Sequence, residues 1–150
     1  MPEPSDLKAH LGYWMRFVSN HVSHAFARKV EAHGVTVAEW AVLRELYDAG
    51  AIPPSQLAER MGMTRGAITK LADRLIAKEL IARTLGTGDR RFQTLAITGT
   101  GRALVPELAG LADVNDAHFF GHMSARDRDE LRRLLTELVR HHDLKTIPTE

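Results

Sequence analysis

Residues 54–98 read PSQLAERMGMTRGAITKLADRLIAKELIARTLGTGDRRFQTLAIT, and the pattern in this stretch decides the fold. Ile68, Leu71, Ala72 and Leu75 recur at i, i+3, i+4 and i+7, so they share one face of a helix. Gly66, Lys70, Asp73 and Arg74 fall on the opposite face, with Arg65 and Thr69 at its edge. Thr64 is placed to cap the helix by accepting a bond from an orphan N–H. The result is an apolar back and a basic front with small residues at the N-terminal end. That end carries the positive pole of the helix dipole, and small residues there let a backbone approach a charged partner closely. A helix that enters a DNA major groove has these requirements.

The segment before it predicts a shorter helix. Pro54 suits a first turn, where the missing N–H is not needed, and Gln56 is placed to reach back to the cap. Leu57, Ala58 and Met61 are its expected buried positions, and Gly62 ends it as a residue tolerant of left-handed φ. Gly62-Met63-Thr64 then has the length of a helix-turn-helix turn. After the second helix, 80–85 and 91–97 read as two strands, separated by the turn-rich Gly86-Thr87-Gly88-Asp89-Arg90-Arg91. A narrow ribbon tipped with arginines suits a DNA minor groove, whose negative potential attracts Arg.

The flanking segments predict helices. The first runs from about Asp6 to His33, with an apolar stripe of Leu7, Leu11, Trp14, Val18, Val22 and Ala25 and an adjoining stripe of His10, Trp14, Phe17, His21 and His24. So wide an apolar surface implies burial on more than one side, and hence a partner subunit. Gly34 closes this helix, and Thr36 with Glu39 forms a capping box for the next, which holds Trp40, Leu43 and Leu46. Ala51-Ile52-Pro53 is a short link with room for a small third strand. Residues 98–123 predict another helix, with Pro106 either kinking it or sitting in an early turn. Ser124 with Asp127 starts the last one, whose face is Leu131, Leu134, Leu135 and Leu138.

This combination resembles the MarR (multiple antibiotic resistance regulator) family of winged helix-turn-helix transcription factors. The marks are LAERMGMTRGAITKLADRLIAKELIAR followed by GDRRFQTLAITGTGRAL, in which an Asp-Arg-Arg tip runs into a strand and then a Leu-Ala-Ile-Thr-x-x-Gly helix start. The flanking helices match in order and length, so the resemblance covers most of the chain. The expected architecture is mainly α with a small β-wing. Residues 36–98 form the winged lobe, and 6–33 and 99–143 supply dimerisation helices. The resemblance implies a homodimer on a pseudo-palindromic double-stranded DNA operator. One reading helix recognises only about 4–5 base pairs, and a two-fold pair presents two helices about 34 Å apart.

The expected DNA contacts are Thr64, Arg65, Gly66, Thr69 and Lys70 at base edges or adjacent phosphates, Arg74 at a phosphate, and Arg90 and Arg91 in the wing. Asp89 braces Arg91 or the turn, as the family pattern suggests. For Arg74 and Lys78 a solvated helix face is an equally good reading. The resemblance also implies an effector pocket between the dimer helices and the winged lobe, lined by the first helix. That region offers Tyr13, Trp14, Arg16, Phe17, Asn20, His21 and Trp40. An arginine among aromatic rings suits a small aromatic or anionic ligand. The same residues are also readable as core and interface.

Composition narrows the alternatives. The 150 residues carry a net charge of +1, but between Ser55 and Arg102 nine Lys/Arg face four Asp/Glu, while the remainder has eleven against fifteen. A basic lobe on an acidic remainder is the footprint of a nucleic-acid binder. There is no cysteine, which removes disulfides, thiol catalysis and cysteine-based oxidant sensing. No apolar run approaches the ~20 residues that span a bilayer, and the polar start Met1-Pro2-Glu3-Pro4 has no secretory character, so no membrane partner and a cytoplasmic location are expected. Gly86-Thr87-Gly88 lacks the following helix of a phosphate loop, there is no Gly-x-Ser-x-Gly, and neither an enzyme nor a cofactor is expected. Two alternatives stay open. One is a metal-responsive regulator of the same fold, using His118 with His122, His21 with His24, or His141 with His142, and Asp116 as a further ligand. The other is a non-specific architectural DNA binder.

Overall fold

The computed structural model describes residues 2–86 and 92–145. A 3-10 turn at Leu7–Ala9 precedes α1 (Leu11–Glu31), α2 (Val37–Ala49), α3 (Pro54–Met61), α4 (Arg65–Ala77), β1 (Ile81–Leu85), β2 (Gln93–Ile97), α5 (Gly99–Phe120) and α6 (Ala125–His141). The fold is therefore mainly α with a two-stranded antiparallel wing. No helix among the described residues is long and apolar enough to cross a membrane.

Hydroxyl caps set most helix starts. Thr36, Thr64, Thr98 and Ser124 each accept a bond from the backbone N–H three residues on, at 3.1 Å. α3 differs from expectation: Pro53 holds its cap position without a side-chain bond, so Gln56 does not reach back. Gly62, at φ 63°, closes α3 in the left-handed region. The expected helix from Asp6 is broken at His10, whose backbone is extended (φ −89°, ψ 128°). Trp14 Nε1 donates to the Lys8 carbonyl at 2.8 Å and ties the short turn back onto α1. Pro106 lies inside α5, beyond its first turn.

The expected apolar back of α4, namely Ile68, Leu71, Ala72 and Leu75, is buried. It meets Leu43 and Leu46 of α2, Leu57 of α3 and Leu95 of β2 in one core, which also takes in Val30 of α1 and Val105 and Leu108 of α5. Each such aliphatic side chain contributes roughly 1.5–3 kcal/mol on burial, against about 1 kcal/mol lost to a glycine inside a helix. Packing therefore holds α4 in place despite Gly66. β1 and β2 pair from Ile81↔Ile97 to Leu85↔Gln93. Ile52 exchanges both backbone bonds with Leu95, at 2.8 and 3.0 Å, and adds the small third strand as a single bridge.

Two polar joints fix the outer helices. Asn115 of α5, almost fully buried, accepts from Lys29 Nζ at 3.0 Å and donates to the Val22 carbonyl at 3.2 Å, locking α5 across α1. At the other end of α5, the Thr98 hydroxyl donates to the Glu79 carbonyl at 2.8 Å, and the Thr98 N–H donates to the Leu80 carbonyl at 3.0 Å. Glu79 itself stands at φ 63° in the turn that ends α4. Gly101 lies against this turn so closely that an added Cβ would collide with the Leu80 carbonyl oxygen.

An apolar surface stays uncovered within the chain. Leu7, Leu11, Trp14, Phe17 and Val18 at the N-terminal end, Val114 of α5, and Leu134, Leu135, Leu138 and Val139 of α6 are all exposed, and α6 buries no residue. The two-sided burial expected for the first helix is thus not supplied by the described residues of its own chain.

Replacing Gly101 by Ala drives a Cβ into the Leu80 carbonyl, a backbone group that cannot swing aside, and against Ile97 Cγ1. Urea unfolding should show a loss of about 2–3 kcal/mol, at the upper end for overpacking. A loss under about 0.5 kcal/mol would mean that the α5 start can shift freely.

Candidate nucleic-acid interface

The N-terminal turns of α4 stand open. Thr64, Arg65, Gly66, Thr69 and Lys70 are all exposed, and a Cβ on Gly66 would meet nothing within 4 Å. The Thr64 hydroxyl accepts from the Ala67 N–H, which leaves its own proton free to donate. The Thr69 hydroxyl donates to the Arg65 carbonyl at 2.9 Å and keeps its lone pairs for a donor. Two cations, a hydroxyl donor, a hydroxyl acceptor and a patch of bare backbone therefore share one surface at the positive end of the helix dipole.

The C-terminal turns of α4 are fastened down. Glu39 of α2 has no exposed surface, and its carboxylate takes Arg74 Nη2 at 3.1 Å and Lys78 Nζ at 2.8 and 3.0 Å. The same group accepts the Thr36 N–H at 2.9 Å, so the capping box and the ion pairs share one carboxylate. Lys78 also donates to the Gly34 carbonyl at 2.8 Å, and Arg74 Nη2 approaches the Thr36 hydroxyl at 3.4 Å. Arg74 and Lys78 keep 51% and 39% of their side-chain surface, so neither is the freely solvated residue that α4 periodicity alone allows. Burial pushes the Glu39 carboxyl up, but the bonds from Lys78 and Thr36 and the Lys78 charge outweigh this and hold it below the ordinary carboxylate range. Sequence reasoning assigned Glu39 only to the cap. Its second role depends on partners more than thirty residues away along the chain.

Asp73, expected on the basic front, pairs with Arg83 of β1 at 2.8 Å and ties the wing to α4. Arg90 and Arg91, with Asp89, lie outside the described residues.

The residues expected at an effector site are partly brought together. Tyr13, Trp14, Phe17 and His21 form a continuous aromatic ladder along α1, with Tyr13 edge-on to Trp14 at 5.1 Å and Phe17 stacked on His21 at 5.2 Å. Asn20 and His21 line a shallow hollow with His24 and Arg28, a cation that sequence reasoning did not assign there. Arg16 is exposed on α1, whereas Trp40 is half-buried against the core of α2. Of the histidines at 118 and 122, only the first is on α5, which ends at Phe120, and His122 follows in the turn beyond. His141 and His142 lie ring to ring at 4.8 Å. Among the described residues, no three His, Cys, Asp or Glu side chains are grouped for a metal ion.

Comparison with known proteins gives three findings. The model of the MarR family matches residues 35–92, which contain α2, α3, α4 and β1. The transcriptional repressor MdtR of Bacillus subtilis is 46% identical over 72 residues, covering 48% of this chain and 46% of that protein, so the chain spans about half the length of this curated relative. Among solved structures, a mutant E. coli MarR complexed with operator DNA superposes with a TM-score of 0.77 at 23% identity, covering 90% of this chain and 99% of that one. Bordetella bronchiseptica BpsR, whose DNA binding is regulated by 6-hydroxynicotinic acid, gives 0.78 at 24% identity, covering 91% and 97%.

The Glu39 network generates a pH test. Its folded carboxyl titrates below the unfolded one, so its stabilisation is complete above about pH 4.3 and is lost as pH falls through the folded value. Glu39→Gln should lower the neutral Tm by about 5 °C, the shift that roughly 2 kcal/mol makes in a chain of this size. Calorimetry across pH should show the gap between wild type and variant closing on acidification. A gap independent of pH would contradict an ionised Glu39.

Proposed function

We propose, from the premise that the chain belongs to the MarR family through residues 35–92, that it is a sequence-specific, DNA-binding transcriptional regulator working in the cytoplasm. The observation that carries this reading is the bare N-terminal surface of α4. Gly66 weakens the helix and has no neighbour among the described residues that requires it, so its use lies in close approach to something outside the chain. Thr64, Arg65, Thr69 and Lys70 frame it with the donors and cations that base edges and phosphates take. Arg74, Arg90 and Arg91 complete the proposed contact set at phosphates and in the wing. MdtR is named as a repressor and the E. coli MarR structure holds operator DNA, and both support the same reading here, with repression as the mode.

The functional unit on this reading is a homodimer on a pseudo-palindromic operator. The uncovered apolar surface of the first turn, α1 and α6 is the candidate seam, and two copies joined there present two α4 helices to two half-sites. A small aromatic or anionic effector is proposed to bind beside the aromatic ladder, using Tyr13, Trp14, Arg16, Phe17, Asn20, His21 and Trp40. BpsR, regulated by an aromatic acid, supports that ligand class. Release of DNA then follows if the ligand prefers a dimer geometry in which both α4 helices no longer fit.

Titration of the DNA flanking the gene against a scrambled duplex, at about 150 mM salt, reads the first claim. Native DNA should bind more tightly, hydroxylated aromatic acids should weaken it, and Gly66→Ala should bind more weakly while gaining about 0.5–1 kcal/mol of folding stability. Unchanged binding by this stabilised variant would remove the central observation. For the dimer, Leu138→Glu should give a folded monomer by sedimentation equilibrium. A variant that stays dimeric would place the seam elsewhere.

A further inference from the structure

Resting on the reading of α4 as the helix that meets DNA, we propose that Glu39 sets how many of its cations reach the DNA backbone: it withholds Lys78 entirely and fixes Arg74 with one edge inward and the other outward. Glu39 is thus a positioning residue for DNA binding, acting through two side chains of another helix.

Donor counting carries the argument. An ammonium has three N–H donors. Those of Lys78 have three acceptors within 3.0 Å: Glu39 Oε1, Glu39 Oε2 and the Gly34 carbonyl. The two carboxylate oxygens lie on one side of the ammonium and share a donor, and the Gly34 carbonyl takes a second, so drawing Lys78 out to a phosphate breaks its ties to a carboxylate that has no access to water. A guanidinium has five donors in a rigid fork. Arg74 spends Nη2 on Glu39 Oε1 and the Thr36 hydroxyl and remains half exposed. Its Nε and Nη1 donors have no partner among the described residues, and the group is tethered by a buried anchor. On this geometry α4 offers Arg74 to phosphate and keeps Lys78 as an internal tie.

Phosphate contacts give affinity without sequence choice, and each adds about 0.9 to the slope of log K against log salt. Counting contacts by this slope separates the proposal from a purely structural role, which changes stability but leaves the slope alone. Salt titrations of one duplex with full-length protein are the test. Lys78→Gln should leave the wild-type slope unchanged, whereas Arg74→Gln should reduce it by about 0.9. Glu39→Gln keeps the side-chain volume but removes the charge that holds Lys78, so its slope should steepen by about 0.9, and adding Lys78→Gln should restore the wild-type value.

A lower slope in Lys78→Gln alone would overturn the proposal, as would a folded Glu39→Gln protein, checked by circular dichroism, with the wild-type slope. Should Glu39→Gln not fold, the contrast between the Lys78 and Arg74 variants still decides. Wild-type protein that binds duplex with no salt dependence, or not at all, would fail the DNA-binding reading itself and take this inference with it.

Discussion

A carboxylate without access to water must find donors for all its lone pairs or raise the energy of the fold, and Glu39 finds them on two elements at once. Its own helix supplies the Thr36 N–H, and α4 supplies Arg74 and Lys78. Removing any partner leaves a buried charge less well compensated, so the N-terminus of α2 and the last turns of α4 are obliged to keep one relative placement. Apolar packing of Leu43 and Leu46 on Leu71 and Leu75 supplies most of the attraction between these elements, but aliphatic contacts tolerate sliding and rotation that a multiply bonded carboxylate does not. The direction in which the front of α4 points is thus a consequence of one ion-pair network.

The two ends of α4 are built on opposite principles. At the N-terminal end nothing among the described residues covers Gly66, and the surrounding side chains retain unused hydrogen-bonding capacity. At the C-terminal end almost everything is committed: Lys78 is tied to Glu39 and to the Gly34 carbonyl, Glu79 takes a left-handed backbone, and the carbonyls of Glu79 and Leu80 receive the start of α5. Gly66 and Gly101 show the contrast. One has empty space where a Cβ would go, and the other has a carbonyl oxygen there. A helix that must present one end rigidly to a partner is well served by fastening the other.

Much of this was legible in the sequence because it is local. Helical periodicity gave the buried face of α4, the hydroxyl-x-x-acid pattern gave two helix starts, and the Gly-rich interval between apolar runs gave the wing. Three features were not legible, each for a physical reason. The break at His10 carries no proline or glycine, and the bond from Trp14 that holds the preceding turn joins residues whose contact periodicity does not report. The His118–His122 spacing presumes a helix that continues, and α5 stops two residues short. The long-range roles of Glu39 and Asn115 depend on partners that only the fold brings near. For the candidate site, the exposure of Thr64, Arg65, Gly66, Thr69 and Lys70 on one side of α4 could be read from spacing, but the disposition of Arg74 could not. Periodicity reports which side of a helix a residue occupies and is silent about a neighbour's charge.

The same joints bear on how a ligand at α1 could matter at α4. The aromatic ladder ends at His21, and the next residue, Val22, is the one whose carbonyl accepts Asn115 from α5. α5 in turn begins on the turn that ends α4, through Thr98 and the close approach of Gly101. A displacement of α1 near His21 therefore meets no compliant loop before α4, only a buried amide, a long helix and a backbone-to-backbone contact. Stiffness alone moves no equilibrium, since a ligand shifts two arrangements only by the difference in its affinity for them. What these joints determine is where such a difference is felt. In the proposed dimer the seam lies on α1 and α6, so a change at the ladder would be divided between the seam, whose candidate surface is apolar, and α4, which is held by ion pairs and backbone contacts. The softer of the two yields first. A change in how two copies meet, with each winged lobe moving as a unit, is the response this construction favours.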